Sequence, residues 1–568
     1  MQTLRRFRAQ IILVIIALTA IALLLIAQGG EGSIGGPAPT TGGQYVEGLV
    51  GRPSRLNPLL DAGNQVDRDV NRLIFSSLFK FDSFGSPIPD LVESWGVSAT
   101  GDVINIKLLE TALWHDGAPV TSRDVLFTIQ LMRFEGSPIP ADERALWEAV
   151  EVIVFDDYNL QFVLPDAYSP FMDYLDFGIL PEHLLGGKDL GTLINDAFNL
   201  APVGSGPYQF DELITTENQI EGIVLSANLN YHGEGPFIEQ IVFRYYDSTA
   251  AALEAYRAGT IMGIGMIEEA SLADVLNEPT LNFYSGRLPQ ISMLLFNLSN
   301  DSTPYFQDAQ VRRGLLMALN RPWMLDEILN GQGLLASGPV LFGSWAYYGG
   351  VPEVAYDPEA AVDVLRDAGW AIPADGGAVR QQDGFRMDFE LVFPDTPHHT
   401  QFAEMIQEYW AAVGVRVDLL PVDYDTLVLD YLDTRTYEAA LVDLDMRGSP
   451  DPDPYPFWHQ SQVTGGQNYA GWDDRRASEY LERARVTWFA NERIRLYRNF
   501  QVHFGRELPA IPLYSPVYNY AVSSVVQGIS IGTLYDPADR FNNVDAWFLV
   551  AAPPDEAVIQ TPAASATP

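Results

Sequence analysis

The segment 388–420, DFELVFPDTPHHTQFAEMIQEYWAAVGVRVDLL, decides the fold class. It opens with a short apolar run of strand length at 388–393. From about Gln401, apolar residues recur at helical spacing until Gly414, and a second apolar run at 415–420 follows at once. A strand, a helix and a strand joined by short connections predict a βαβ unit and therefore an α/β protein.

The same alternation continues on the N-terminal side of this unit. A strand is predicted at 292–297, and Asp308 begins a helix whose apolar residues share one side. Asp357 and Pro358 predict another helix start, because aspartate caps free backbone N–H groups and proline fits the first helical position. Gly369 predicts the end of that helix.

The stretch 61–201 has a different pattern, with short strands, many turns and one clear helix. This helix begins at Thr121 or Ser122 and has Asp124 in its first turn, where a carboxylate is favourable. We predict that the stretch is a sub-domain inserted into the α/β body.

The two ends of the chain differ from the body between them. Three arginines among the first eight residues precede an uncharged apolar run at 11–27, a layout shared by secretory signals and single membrane anchors. The positively charged flank would stay on the cytoplasmic side of the membrane, and the rest of the chain would lie on the outer side. We predict an uncleaved membrane anchor over 1–28, a flexible tether at 29–43 and a disordered tail at 549–568.

Composition narrows the function classes. The chain has 568 residues, a formal net charge of −40 and no cysteine. Such a surface repels nucleic acid and anionic lipid, so no nucleic-acid partner is expected. The lack of cysteine excludes disulfides, thiolate metal sites and a lipid-modified cysteine. Solute binders and secreted glycosidases share this size and composition, so composition alone does not separate them.

Nine short motifs follow one another along the body. They are LNPL (56–59), LIFSSL (73–78), PDLVESW (89–95), WHDGAPVT (114–121), GSGPY (204–208), NYHG (230–233), VRRGL (311–315) with ALNR (318–321), YDPEAA (356–361) and PDPD (450–453). In this order and at this spacing, the chain resembles the family 5 solute-binding proteins of ABC importers, the dipeptide, oligopeptide and nickel class.

The resemblance implies a two-lobed α/β fold of the periplasmic-binding-protein type with a two-strand hinge. Lobe I would take 44–60, 202–285 and 512–548, the sub-domain at 61–201 would be inserted in it, and lobe II would take 286–511. The hinge crossings would lie near 286–290 and 509–512, where proline and glycine suit a bending segment.

The function implied by the resemblance is capture of a small solute outside the cytoplasm and its delivery to ABC permease subunits. A peptide is the expected ligand, with an oligosaccharide or another solute as the alternative. The expected protein is a monomer at the outer face of the cytoplasmic membrane, and it is not an enzyme and needs no cofactor. An anchored sensor that binds without transport would share all these features.

In family members that bind peptides, a tryptophan and an aspartate precede the Pro-Asp-Pro segment, and the aspartate pairs with the ligand's α-ammonium. Here 441–449 reads LVDLDMRGS, without a tryptophan and with Gly448 near the position of the aspartate. Asp443 and Asp445 could replace it, because a buried ammonium needs a charged partner. Met446 and Arg447 are candidates from the same loop, although Arg447 could simply pair with Asp445.

Four further candidate ligand contacts lie elsewhere. Asn57 is in the loop after the first strand of lobe I, where it could equally make a turn. Trp345 and Tyr347 in a glycine-rich loop, and Trp458 after the Pro-Asp-Pro motif, carry aromatic rings suited to cleft walls or to the core.

Three other functional interpretations of the sequence have less support: a metal site, a phosphate-binding loop and a glycosidase. Neighbouring His398 and His399 point apart on regular elements, so they chelate poorly and no metal site is expected. The Gly204–Pro207 turn lacks the lysine of a phosphate-binding loop. A glycosidase with paired carboxylates is the enzymatic alternative, and with 74 acidic residues such pairs arise by chance.

Overall fold

The computed structural model describes residues 39–550 except Asp375 and Ser449. The strands are β1 Gln44–Val50, β2 Phe79–Phe81, β3 Pro87–Pro89, β4 Val92–Val97, β5 Val103–Leu108, β6 Glu151–Val154, β7 Asn159–Val163, β8 Tyr208–Thr216, β9 Gln219–Ala227, β10 Gln240–Tyr246, β11 Gly263–Ile264, β12 Leu281–Arg287, β13 Gln290–Phe296, β14 Gly333–Leu335, β15 Gln381–Gln382, β16 Phe385–Arg386, β17 Asp388–Pro394, β18 Arg416–Val422, β19 Ala439–Asp445, β20 Ala510–Ser523, β21 Val526–Gln527 and β22 Phe548–Leu549.

The α-helices are α1 Gln65–Ile74, α2 Ser122–Met132, α3 Ala141–Ala149, α4 Glu182–Leu185, α5 Leu190–Leu193, α6 Thr249–Arg257, α7 Glu269–Leu276, α8 Ala309–Met317, α9 Arg321–Leu329, α10 Pro358–Asp367, α11 Pro397–Ala412, α12 Tyr424–Thr426, α13 Tyr455–Trp458, α14 Arg475–Val486 and α15 Ala490–Glu507. Short 3₁₀ helices lie at Ser169–Leu175, Ala197–Leu200, Pro304–Gln307, Gln460–Gln462, Pro537–Phe541 and Val544–Ala546, and a π-helical turn at Leu427–Leu432. None of the helices in this part of the chain is long and apolar enough to cross a membrane. The predicted anchor at 1–28 lies outside the described residues.

The largest sheet has twelve strands in the order β18-β17-β19-β13-β20-β11-β1-β10-β9-β8, with β12 and β14 also paired to β20. Strand β1 is parallel to β10 and β11, and β17 is parallel to β18 and β19. Strand β20 joins the two halves, because it pairs with β13 over 510–514 and with β12 over 517–523. The lobe boundaries and hinge crossings drawn from the sequence remain predictions.

The βαβ unit predicted at 388–420 is present as β17, α11 and β18. The predicted helix start at about Gln401 was wrong by one turn, since α11 begins at Pro397. The Thr396 side chain accepts a hydrogen bond from the His399 backbone N–H, and Pro397 fits the first helical position. The left-handed Gly414, with φ +84°, ends the unit's helix as predicted.

The other predicted helix starts are confirmed by their caps. Asp308 caps α8 and Asp357 caps α10 through side-chain oxygens that accept backbone N–H groups. Thr121 and Asp124 form a reciprocal capping box at the start of α2. Helix α2 accompanies a separate four-stranded sheet in the order β4-β5-β7-β6, which falls within 61–201.

Candidate functional site

A polar cavity of about 210 Å³ lies where the N-terminal part of the body meets the loop before the Pro-Asp-Pro motif. Its wall consists of Pro58, Asp61, one face of α1, the turn at 176–178, Ser77, Lys80, Asp536, Ala538 and, from the loop, Gly448. We call it the Gly448 cavity. Its wall segments are far apart in sequence, so the site exists only in the folded chain.

Helix α1 supplies the main wall of the Gly448 cavity. Arg68, Asn71 and Arg72 line it at helical spacing, and Phe75 lines it just after the helix ends. The helix begins after Asn64, whose side chain accepts the Val66 backbone N–H. The cavity therefore has a rigid helical face that carries two cations and an amide.

The opposite side of α1 is fixed by a buried charge cluster. Arg540 is fully buried and donates to Asp69 at 2.8 Å and to Glu47 at 2.7 Å. The Tyr45 and Tyr520 hydroxyls donate to the same Glu47 carboxylate at 2.7 and 2.8 Å. These bonds join β1, α1, β20 and the 3₁₀ helix Pro537–Phe541, which carries part of the cavity wall.

Each cation on the wall is held by at least one carboxylate. Arg68 pairs with Asp536 at 2.8 Å, and Lys80 pairs with Asp90 at 3.0 Å. Arg72 lies between two carboxylates, 3.2 Å from Asp176 and 2.9 Å from Asp539. Burial of Asp176 raises its pKa to about 6, with the Arg72 charge opposing the rise.

Asp61 differs from these carboxylates because no cation in the described part of the chain forms an ion pair with it. One of its oxygens accepts from Asn71 Nδ2 at 2.8 Å, and the side chain lines the cavity. Burial raises the pKa of Asp61 to about 7, against the lowering effects of Asn71 and Arg68. The cavity thus contains a desolvated acid that a ligand cation could neutralise.

A second cavity of about 540 Å³ adjoins the first at Lys80. Tyr231, His232 and the segment 530–545 contribute to its wall. Lys80 donates to the Tyr231 hydroxyl at 3.0 Å, and His232 lies 3.0 Å from Asp90. The two cavities share Lys80 as a wall residue.

The predicted loop residues take different places. The Asp443 carboxylate accepts a hydrogen bond from the Ser292 hydroxyl and lies 3.2 Å from His399 Nε2. Both partners belong to the predicted lobe II, so the carboxylate already has partners within that range. Asp445 pairs with Arg447 at 2.6 Å in the exposed loop. The Met446 backbone N–H donates to Pro289, and Gly448 N–H donates to the Tyr535 carbonyl at 3.2 Å.

The four candidates outside the loop lie in structural contacts. Asn57 is fully buried, donates to Asn199 and accepts the Leu59 backbone N–H, so it shapes the turn that presents Pro58 to the cavity. The Trp345 ring lies 4.9 Å from the Arg493 guanidinium. Tyr347 stacks edge-on against Phe342, and Trp458 is buried against Phe504. Of the nine predicted residues, all within the described part of the chain, only Gly448 lines the Gly448 cavity.

The two neighbouring histidines face different partners. His398 lies 2.6 Å from Glu269, and His399 faces Asp443. The residues described contain no group of three side chains arranged to hold a metal ion.

Sequence reasoning missed Asp61, Arg68, Asn71, Arg72, Asp176 and Asp536. The segment 61–72, DAGNQVDRDVNR, places the charged residues of its helix on the side away from Val66 and Val70. Such a pattern usually marks a solvated helix, yet Asp67, Asp69 and Asn71 are all buried here. Their partners show why these groups are internal: Arg540 pairs with Asp69, and the Ser54 and Arg55 backbone N–H groups donate to Asp67.

A helix-flanked sheet in two halves joined through one long strand, with a cavity lined by segments that follow β1 and β19, is the architecture of a two-lobed solute-binding protein. The family model for bacterial extracellular solute-binding proteins, family 5, matches residues 86–467. The chain therefore belongs to family 5 of the bacterial extracellular solute-binding proteins, and the predicted α/β fold is confirmed.

Individual relatives match over most of their length. The oligopeptide-binding protein AppA of Bacillus subtilis is 24% identical over 569 residues, which covers 95% of this chain and 99% of AppA. The Escherichia coli dipeptide-binding protein is 23% identical over 85% of this chain and 91% of its own length.

Two solved structures superpose on this chain over most of its length. AppA in complex with a nonapeptide superposes with a TM-score of 0.64 at 25% identity, over 90% of this chain and 100% of AppA. The ABC transporter substrate-binding protein CtaP of Listeria monocytogenes gives a TM-score of 0.72 at 22% identity, over 90% and 100% of the two chains, and shows the shared fold.

Proposed function

We propose that this chain is the substrate-binding component of an ABC importer and captures a peptide at the Gly448 cavity. The observation that carries the proposal is the position of the cavity. It is bounded by the segment just before the Pro-Asp-Pro motif, in a chain that belongs to family 5. Relatives named for oligopeptide and dipeptide binding support a peptide as the solute.

The proposed mechanism is closure of two lobes, 44–60 with 202–285 and 512–548 on one side and 286–511 on the other, around the solute. Contacts between the inserted stretch 61–201 and the 286–511 range are already present. Trp345 N–H donates to the Phe84 carbonyl at 2.9 Å, and Asp451 N–H donates to Asp173 at 2.8 Å. Closing would present a combined surface to the permease subunits, and affinity would depend on the balance of open and closed forms.

Native mass spectrometry of the purified protein tests the proposal. We expect a co-purified peptide, and calorimetry of protein freed of solute by unfolding and refolding should show binding of alanine peptides. Small-angle scattering should record a smaller radius of gyration with saturating peptide. A panel of oligosaccharides is the control, and binding of a sugar without any peptide would contradict the peptide assignment.

We propose further that the chain is held at the outer face of the membrane by the apolar run at 11–27. The arginines before it and the absence of a lipid-modifiable cysteine support this arrangement. Membrane fractions of expressing cells should contain the protein, and N-terminal sequencing should find residues before Gln28. A mature N-terminus after Gly29 would contradict it, and a variant that begins at Gln44 behind a cleavable signal is the soluble control.

A further inference from the structure

The Gly448 cavity has three carboxylates and three cations on its wall, and two more carboxylates directly behind it. The carboxylates at or directly behind its wall are those of Asp61, Asp90, Asp176, Asp536 and Asp539, and they face the cations Arg68, Arg72 and Lys80. Each cation is already paired. An anionic ligand would therefore find no free positive charge on this wall, whereas a cationic ligand would find an excess of negative charge.

Among these carboxylates, Asp61 is the one that forms no ion pair with a cation of the described residues. It is only 9% exposed, and its hydrogen bond from Asn71 engages one oxygen, Oδ2. Within the described residues, the Oδ1 oxygen accepts no hydrogen bond from another side chain. A buried carboxylate with a free oxygen on a cavity wall is costly unless a donor meets it.

A second acceptor without a partner lies beside it. The Oδ1 atom of Asn71 is buried and accepts no hydrogen bond from the residues described, although Asn71 also lines the cavity. The amide orientation is fixed by its neighbour, because a flipped amide would place Oδ1 against the Asp61 carboxylate. An acceptor without a partner beside a carboxylate with an unused oxygen matches a group that donates several hydrogen bonds and carries positive charge.

We propose that Asp61, assisted by the Asn71 carbonyl, binds a primary ammonium group of the solute, namely the N-terminus of a peptide. This inference rests on the proposed function and adds the residue that recognises the amine. It also accounts for Gly448, where the family resemblance led us to expect the amine-binding carboxylate. The charge comes from another part of the same cavity wall, and Gly448 supplies space instead of charge.

The test compares trialanine, N-acetyl-trialanine and putrescine by calorimetry on the full chain freed of solute. Wild-type protein should bind trialanine at least about thirty-fold more tightly than its acetylated form, the lower end of the effect of unpairing a buried charge. The isosteric Asp61→Asn variant should lose trialanine affinity by a similar factor and no longer distinguish the two peptides. Asp326→Asn, which makes the same charge change at an exposed helical position, should bind as wild type does.

A rescue variant separates loss of the amine site from damage to the fold. A Cβ atom at Gly448 would meet nothing within 4 Å, and aspartate tolerates the left-handed backbone found there, φ +70°. Gly448→Asp placed in the Asp61→Asn protein should restore a carboxylate to the cavity. We expect it to recover preference for the free amine over the acetylated peptide.

The outcomes separate this inference from the proposed function. Trialanine bound equally well by wild type and Asp61→Asn would overturn the role of Asp61 and leave peptide capture standing. Asp61-dependent binding of putrescine without any peptide binding would support the ammonium site and overturn peptide capture. A loss caused by Asp445→Ala but not by Asp61→Asn would assign the amine to the loop and overturn the inference. Absence of binding by all three probes would overturn both.

Discussion

Arg540 is a cation with no exposure to solvent, and its two carboxylate partners, Glu47 and Asp69, are also buried. Its neutral replacement Arg540→Met would fill much of the same space but leave two buried carboxylates without a counter-charge. Breaking a buried ion pair in this way costs about 3–5 kcal/mol. We expect the free energy of unfolding to fall by this order in a denaturant titration followed by fluorescence.

The matched control for Arg540 is Arg366→Met. Arg366 pairs with Asp363 on the surface, where both side chains are more than half exposed, and such a pair contributes at most about 1 kcal/mol. Equal denaturation midpoints for the two variants would show that the Arg540 cluster does not stabilise the fold. Its loss should also weaken solute binding, because the cluster positions α1 and the 3₁₀ helix beside the cavity.

At the scale of elements, the 3₁₀ helix Ser169–Leu175 meets the Pro-Asp-Pro loop through acidic side chains. Asp173 accepts the Asp451 backbone N–H, and Asp451 pairs with Arg493 at 2.5 Å. Burial, and then the Asp451 charge, raise the pKa of Asp173 well above its ordinary value, while Arg493 opposes the rise. Asp453, which pairs with Arg485, adds a smaller raising effect.

This contact should depend on pH. The folded form binds the Asp173 proton more tightly than the unfolded chain, so its stability is greatest below the ordinary aspartate pKa and falls as the pH rises through the raised pKa. Asp173→Asn keeps an oxygen for the Asp451 N–H and removes the ionisation. We expect the variant to have a higher melting temperature than the wild type at pH 8 and a much smaller difference at pH 4. The gain in the free energy of unfolding at pH 8 should be about 1.4 kcal/mol for each unit by which the pKa is raised.

Asp274→Asn is the control for that series, since it removes an exposed charge from α7. Its melting temperature should follow that of the wild type at both pH values. If Asp173→Asn destabilised the protein at pH 8, Asp173 would have to be ionised and favourably paired in the folded form.

At the scale of the whole molecule, the parts predicted from sequence are those fixed by local physics. The βαβ unit followed from apolar spacing within 33 residues, and the caps at Asp308 and Asp357 followed from short-range hydrogen bonding. Helix α11 begins one turn before the predicted start at about Gln401, because the cap at Thr396 outweighed the polar sequence after it. The cavity could not be predicted in this way, since Asp61 and Asp536 meet only through the tertiary fold.

The joining strand β20 has a consequence for how such chains can diverge. A substitution in β20 acts on both halves at once, because the same strand carries ladder bonds to β13 and to β12. Asp61 and Gly448 belong to no ladder, so changes there alter the cavity without altering the sheet. Substitutions at these two cavity positions therefore disturb the sheet less than substitutions in the joining strand. The charge of the cavity wall, and with it the solute that is accepted, can therefore change while the fold is kept.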